Sequence, residues 1–118
     1  HLEFTFRIAS GEIQDFEIAT KPEYLDKVIE TVYNYKPMPK EFKHPLMSKD
    51  SLEPLRHADL ATAKQQFLAA WDAFDAYFKA NPDVTTKNAV FGNLEKFEWD
   101  LLNTKHLNHH FEQFDILF

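Results

Sequence analysis

The stretch KHLNHHFEQF at 105–114 holds three of the six histidines and is the part of the sequence best suited to chemistry. His106 and His110 are four residues apart, which on a helix places them about 40° apart around the axis and roughly 6 Å along it. Both imidazoles can therefore reach one metal ion. His109 lies about 100° round the helix from His110, which predicts a neighbour rather than a ligand. Gln113 is on the ligand side, where we expect it to support a ligand histidine, a bound water or a substrate group.

Two histidines are too few for a stable site, because catalytic zinc-like sites usually take three protein ligands and keep one position open. The residues alone leave the third ligand undecided between His1, His44 and His57, and a carboxylate from elsewhere is an alternative. The same spacing is also typical of surface histidines on a helix that binds no metal.

The composition excludes several other classes of function. A chain of 118 residues is about one domain, and its net charge of −6 has no basic stripe that would neutralise a nucleic-acid backbone. The chain has no cysteine, so any thiol chemistry must bring its sulfur from outside. The absence of cysteine also fits a cytoplasmic location. We find no apolar run of about 20 residues and no signal peptide, so we expect no membrane span.

The elements that must position these histidines are predicted to be helices. HLEFTFRIASGEI is typical of the last turns of a helix that stops at Gly11. Thr20, Pro22 and Glu23 form a capping-box pattern at the start of a second helix. The four prolines between Lys36 and His57 predict an irregular connection.

Two further helices follow in the second half of the chain. Asp59 is the predicted cap of a long helix to about Ala80, and Asn93 the predicted cap of a last helix from Leu94 to about Phe114. Strand signals are nearly absent. We therefore predict one all-α domain over 1–118, a helical bundle whose first helix is missing or truncated, so that the chain is the C-terminal part of a larger domain or protein. The apolar stripe of the long helix is predicted to be core, and it consists of Leu60, Ala63, Phe67, Ala70, Trp71, Phe74, Tyr77 and Phe78.

The last helix resembles the closing helix of the DinB-like (DinB/YfiT) superfamily of four-helix bundles. The superfamily pattern H-x-x-H-H-x-x-Q stands here as His106, His109, His110 and Gln113. The likeness is greatest to a branch catalogued only as a domain of unknown function, and the further residues that carry it are Phe91, Gly92, Leu94, Trp99, Lys105 through Phe114, and His1 through Gly11.

The resemblance implies an up-down four-helix bundle in a cytoplasmic protein of bacterial type. It also implies that His1, His106 and His110 bind a divalent metal ion, typically nickel, zinc or iron. Some members of the superfamily are enzymes that use a low-molecular-weight thiol such as mycothiol or bacillithiol, either transferring it to an electrophile or isomerising a substrate through it. The alternatives are a metal-binding or accessory domain without turnover and a purely structural helical module. A fourth hypothesis is that residues 1–3, His-Leu-Glu, are a cloning remnant, which would remove the third ligand. An apolar face left uncovered by the missing helix would favour a homo-oligomer.

Overall fold

The computed structural model describes residues 1–34, 36–38 and 56–114. These ranges are mostly helical, with one small antiparallel sheet, so the predicted all-α class holds at that level. In chain order the elements are α1 (Leu2–Ala9), a 3-10 turn (Pro22–Tyr24), α2 (Leu25–Tyr33), α3 (Leu60–Ala80), β1 (Thr86–Asn88), β2 (Gly92–Leu94) and α4 (Lys96–Gln113). None of the described helices is both long enough and apolar enough to cross a membrane. The predicted Pro-rich connection falls largely outside the described residues, and so does His44.

Helix α1 ends where the sequence predicted. Its last residue is Ala9, and Gly11 turns the chain away with a φ of 80°, a value that residues with a Cβ rarely adopt. Helix α3 also has its predicted bounds, because the side chain of Asp59 accepts a hydrogen bond of 2.7 Å from the backbone N–H of Thr62.

The contact between α1 and α3 is aromatic and forms the centre of the core. The ring of Phe6 lies 5.1 Å from that of Trp71, stacked, and 5.4 Å from that of Phe74, edge to face. The stripe on α3 is less completely buried than predicted, since Leu60 and Trp71 stay exposed while Phe74 and Phe78 are buried. Trp71 is exposed only in part, since its ring also stacks on Phe6 of α1.

The predicted cap of the last helix, Asn93, is wrong, because a short hairpin precedes that helix. Residues Thr86–Asn88 and Gly92–Leu94 pair as an antiparallel hairpin, in the register Thr86 to Leu94 and Asn88 to Gly92. The Asn88 side chain accepts from the backbone N–H of Val90 and of Phe91, which closes the turn.

Helix α4 consequently begins at Lys96, after Glu95 rather than Asn93. Glu95 and Glu98 cap it reciprocally: each side chain accepts from the backbone N–H of the other, which satisfies two amides at once. Leu94 is fully buried, so strand pairing and burial already hold the residue that was predicted to start the helix.

The start of α2 also differs from the prediction. Thr20 does not cap it; the chain passes through the 3-10 turn, and α2 begins at Leu25 without a side-chain cap. The preceding backbone is held instead by the hairpin turn, because the Ala19 N–H donates to the Ala89 carbonyl over 2.7 Å.

Two side-chain contacts attach the end of α2 to α4. The Lys105 ammonium donates to the Thr31 carbonyl and to Asn34 Oδ1, and its partial burial there lowers the pKa of Lys105. The Tyr33 hydroxyl donates to Glu98 over 2.7 Å, and this bond raises the pKa of Tyr33 to about 12. Helix α2 thus packs along one side of α4.

Candidate metal centre

Helices α1 and α4 run antiparallel, and contacts near both ends of α1 fix their relative position. At one end the Thr86 hydroxyl donates to the Ala9 carbonyl over 2.7 Å and accepts from Trp99 Nε1 over 2.7 Å. At the other end His1 meets His106. Along α1 the two contacts are eight positions apart, which is about 12 Å at 1.5 Å per residue. Along α4 they are seven positions apart, which is about 10 Å, so the two distances agree. The two helices therefore bring residues from opposite ends of the sequence together.

Three imidazoles converge at the His1 end of this pair. His1 Nε2 lies 2.8 Å from His106 Nε2, and His106 Nε2 lies 2.9 Å from His110 Nε2. One nitrogen from each of the three rings lies within 4.8 Å of the other two, so the cluster is close enough to hold a metal ion. His106 and His110 are half-buried and His1 is exposed, which leaves one side of the cluster open to solvent.

The spacing of the three nitrogens suits a small ion after a slight adjustment. Two nitrogens that each lie about 2.0–2.1 Å from a tetrahedral zinc ion are about 3.4 Å apart. The two short separations would thus have to widen by about half an ångström, and the third, which is at most 4.8 Å, would have to reach the same value. Three nitrogen donors with one side open would leave a position for a fourth ligand.

A hydrogen bond to Gln113 orients one of the rings. His110 Nδ1 lies 3.0 Å from Gln113 Oε1, an acceptor, and with the proton on Nδ1 the ring would turn the lone pair of Nε2 toward the cluster. His106 Nε2 lies near the Nε2 atoms of both His1 and His110. It can carry only one proton, so it can donate a hydrogen bond to only one of them. A cation, in contrast, accepts all three lone pairs.

His109 lies outside the cluster. Its ring is edge-on to that of His110, with centroids 5.3 Å apart, and its side chain lines a groove between α2 and α4. This groove has a volume of about 460 Å³ and is also lined by Tyr33, Lys105 and Asn108. The structure thus separates the two adjacent histidines onto different sides of α4.

His57, a candidate third ligand from sequence, is used elsewhere. Its Nε2 lies 2.6 Å from Glu3 Oε2, and the carboxylate of Glu3 is buried, with Arg7 and Arg56 at 4.0 Å and 3.9 Å. This pair attaches the chain just before α3 to α1, two residues after His1. Sequence reasoning missed it, because Glu3 and His57 are 54 residues apart and no spacing rule joins them.

A second feature missed from sequence is Asn103 on α4. It is buried, and its Nδ2 has no hydrogen-bond partner within the described part of the chain. It lies three residues before His106, on the same side of the helix. The buried amide therefore lies on the helix face that carries the two α4 histidines.

No family model, no curated protein and no solved structure matches this chain. The functional conclusion therefore rests on the chain's own residues and their geometry.

Proposed function

We propose that the chain is a divalent-metal-binding protein of the DinB-like type, with the ion held by Nε2 of His1, His106 and His110. The observation that carries the proposal is the convergence of three imidazole nitrogens from opposite ends of the chain within 4.8 Å. Rings brought together without a cation would leave lone pairs facing one another, which is unfavourable. The DinB-like assignment is supported by the pattern on α4 and by the helix that brings His1 against it.

The residues around the cluster would tune the site. Gln113 would fix the tautomer and orientation of His110. Hydrogen-bond partners of metal-binding histidines commonly have this role. The exposed side near His1 would admit a fourth ligand. Imidazole ligands suit nickel, zinc and iron alike, so the donor set favours a divalent transition metal over magnesium or calcium.

We extend the proposal to a transferase that uses an external low-molecular-weight thiol and a small electrophile. A bound divalent ion acts as a Lewis acid that lowers the pKa of a coordinated thiol, so that the nucleophilic thiolate exists near neutral pH. The chain itself has no cysteine, so it would supply the three ligands and the open position while the sulfur comes from the substrate.

Metal binding can be tested on protein that carries no polyhistidine tag. We expect about one equivalent of zinc or nickel per chain by elemental analysis after dialysis, because the three ligands form one site. His106→Ala and His110→Ala should each weaken binding at least tenfold, since two ligands remain. His109→Ala is the matched control, one residue away and outside the cluster, and should bind like the parent chain.

Two outcomes would count against this proposal. Failure of the untagged parent chain to bind a stoichiometric ion would remove the metal site, and equal losses in the His109 and His110 variants would show that the α4 histidines act nonspecifically. The transferase part is tested with the metal-loaded protein, bacillithiol and an electrophile such as monochlorobimane. Turnover that disappears in His110→Ala supports it, and a metal-bound protein without turnover across several thiols contradicts it.

A further inference from the structure

One side of α3 carries a strip of exposed residues that includes three of the large exposed hydrophobic side chains. Leu60 is 68% exposed, Leu68 57% and Trp71 37%. The strip continues through charged residues at the same helical spacing and covers an arc of about 100°. The α3 strip consists of Leu60, Lys64, Leu68, Trp71, Asp75 and Lys79, all of them exposed.

The strip is held in place from beneath by the core. The Trp71 ring stacks on Phe6 with an interplanar angle of 17°, and Phe67 packs against it edge to face with centroids 5.7 Å apart. Trp71 therefore has one packed face and one exposed edge. An apolar side chain already fixed in position loses little conformational entropy when a partner covers it.

The order of residues along the strip is self-complementary. Leu68 and Trp71 lie equally far from the midpoint between residues 69 and 70, and Lys64 and Asp75 lie equally far out on either side, about 8 Å along the helix. Two copies of α3 crossing antiparallel at this midpoint would thus place Leu68 against Trp71. Each Lys64 would face the Asp75 of the other copy.

We infer that this strip is the interface of a two-fold homodimer in which α3 packs antiparallel against α3 of a second copy. In such an interface the same patch is used twice, so each attractive contact occurs twice. Neither Lys64 nor Asp75 forms a salt bridge within the described residues, so both charges are available to a partner. A parallel pairing would instead set Lys64 against Lys64 and Asp75 against Asp75.

The charges allow a test by exchange. Lys64→Glu would place two acidic side chains opposite each other at both ends of the interface, and Asp75→Lys would place two basic ones there. The double variant Lys64→Glu/Asp75→Lys restores opposite charges with their signs reversed. Asp26→Lys and Lys27→Glu are matched controls, since they make the same charge changes at exposed positions of α2.

Sedimentation equilibrium of the full chain from about 1 to 500 µM measures the dimer dissociation constant. We expect a dimer for the parent chain, a dissociation constant at least about tenfold higher for each single α3 variant, and recovery in the double variant to within about threefold. The α2 controls should dimerise like the parent chain. A far-UV circular dichroism melt shows that each variant is folded.

Three results would overturn the inference. The first is a parent chain that stays monomeric over the whole range, which would mean that a different molecule or nothing covers the strip. The second is a dimer whose dissociation constant is the same in both single variants as in the parent chain. The third is a double variant that remains as dissociated as the singles, because loss without recovery shows that the two charges do not meet.

Discussion

At the scale of single residues, Thr86 connects the sheet to two helices. Its side chain is buried and joins three elements, because it lies on β1, donates to the last residue of α1 and accepts from the Trp99 indole of α4. These bonds hold α1 at one end, and the same helix presents His1 to His106 at the other. The hydroxyl group that holds α1 thus lies one helix length away from the proposed metal ligand His1.

Replacing Thr86 with valine keeps the shape of the side chain and removes the hydroxyl. The Ala9 carbonyl and the Trp99 N–H would each lose a buried partner, which costs about 1–3 kcal/mol per group. We expect the free energy of unfolding in urea to fall by about 2–4 kcal/mol. Thr85→Val makes the same change at an exposed neighbour and should shift it by about 0.5 kcal/mol or less. Equal stability of the two variants would show that the bonds contribute little.

At the scale of elements, what the sequence could predict follows from how local each signal is. Asp59 and the apolar period after it lie within one helix, and both bounds of α3 were predicted correctly. The hairpin has strands of three residues, too short for an alternating pattern to show. The start of α4 was misplaced because Asn93 is a good cap by type, while strand pairing and the reciprocal Glu95 and Glu98 bonds decide the boundary.

The candidate site also has local features that the sequence could predict and tertiary features that it could not. The pairing of His106 with His110 and the separate position of His109 follow from the helical repeat, so spacing alone predicted them. His1 joins the pair only through the tertiary placement of α1, which packs on α3 and β1, and no spacing contains this placement; the family resemblance implied it. The contact of His57 with Glu3 is also a tertiary contact, and the sequence did not predict it.

The cap of α3 gives an expected pH dependence. The Thr62 N–H and hydroxyl bonds hold the pKa of Asp59 below its usual value of 3.8. Because the folded-state pKa is lowered, this stabilisation is complete above about pH 4 and is lost as the pH falls through the folded value. Asp59→Asn keeps a capping side chain that does not titrate, so its melting temperature should fall less between pH 5 and pH 2 than that of the parent chain.

The control for this prediction is Asp83→Asn, at an exposed position between α3 and β1. It should leave the slope of melting temperature against pH as in the parent chain. If Asp59→Asn and Asp83→Asn flatten the slope equally, the general loss of negative charge explains the effect and the cap does not.

At the scale of the whole molecule, the proposed metal site would act as a long-range cross-link. His1 and His106 are 105 positions apart, so an ion that binds both closes almost the entire chain into one loop. Closing a long loop restricts the unfolded chain more than closing a short one. The ion would also hold α1, a helix of only eight residues, against α4.

We therefore expect metal to stabilise the whole fold. Free zinc at 100 times its dissociation constant should raise the free energy of unfolding by about 2.7 kcal/mol, if the unfolded chain does not bind it. His1→Ala should lose most of this gain and His109→Ala none of it, as measured by urea unfolding in zinc-buffered and chelator-treated solutions. An equal gain in His1→Ala would mean that the ion is held within α4 alone.

The two tryptophans lie in surroundings that differ enough to report separate events. Trp99 is almost fully buried and hydrogen-bonded, so its fluorescence should shift to the red only when the core opens. Trp71 is partly exposed on the α3 strip, where a soluble quencher can reach it unless another surface covers it. With Trp99→Phe or Trp71→Phe in place, the unlabelled protein could thus be followed optically through unfolding and through association independently.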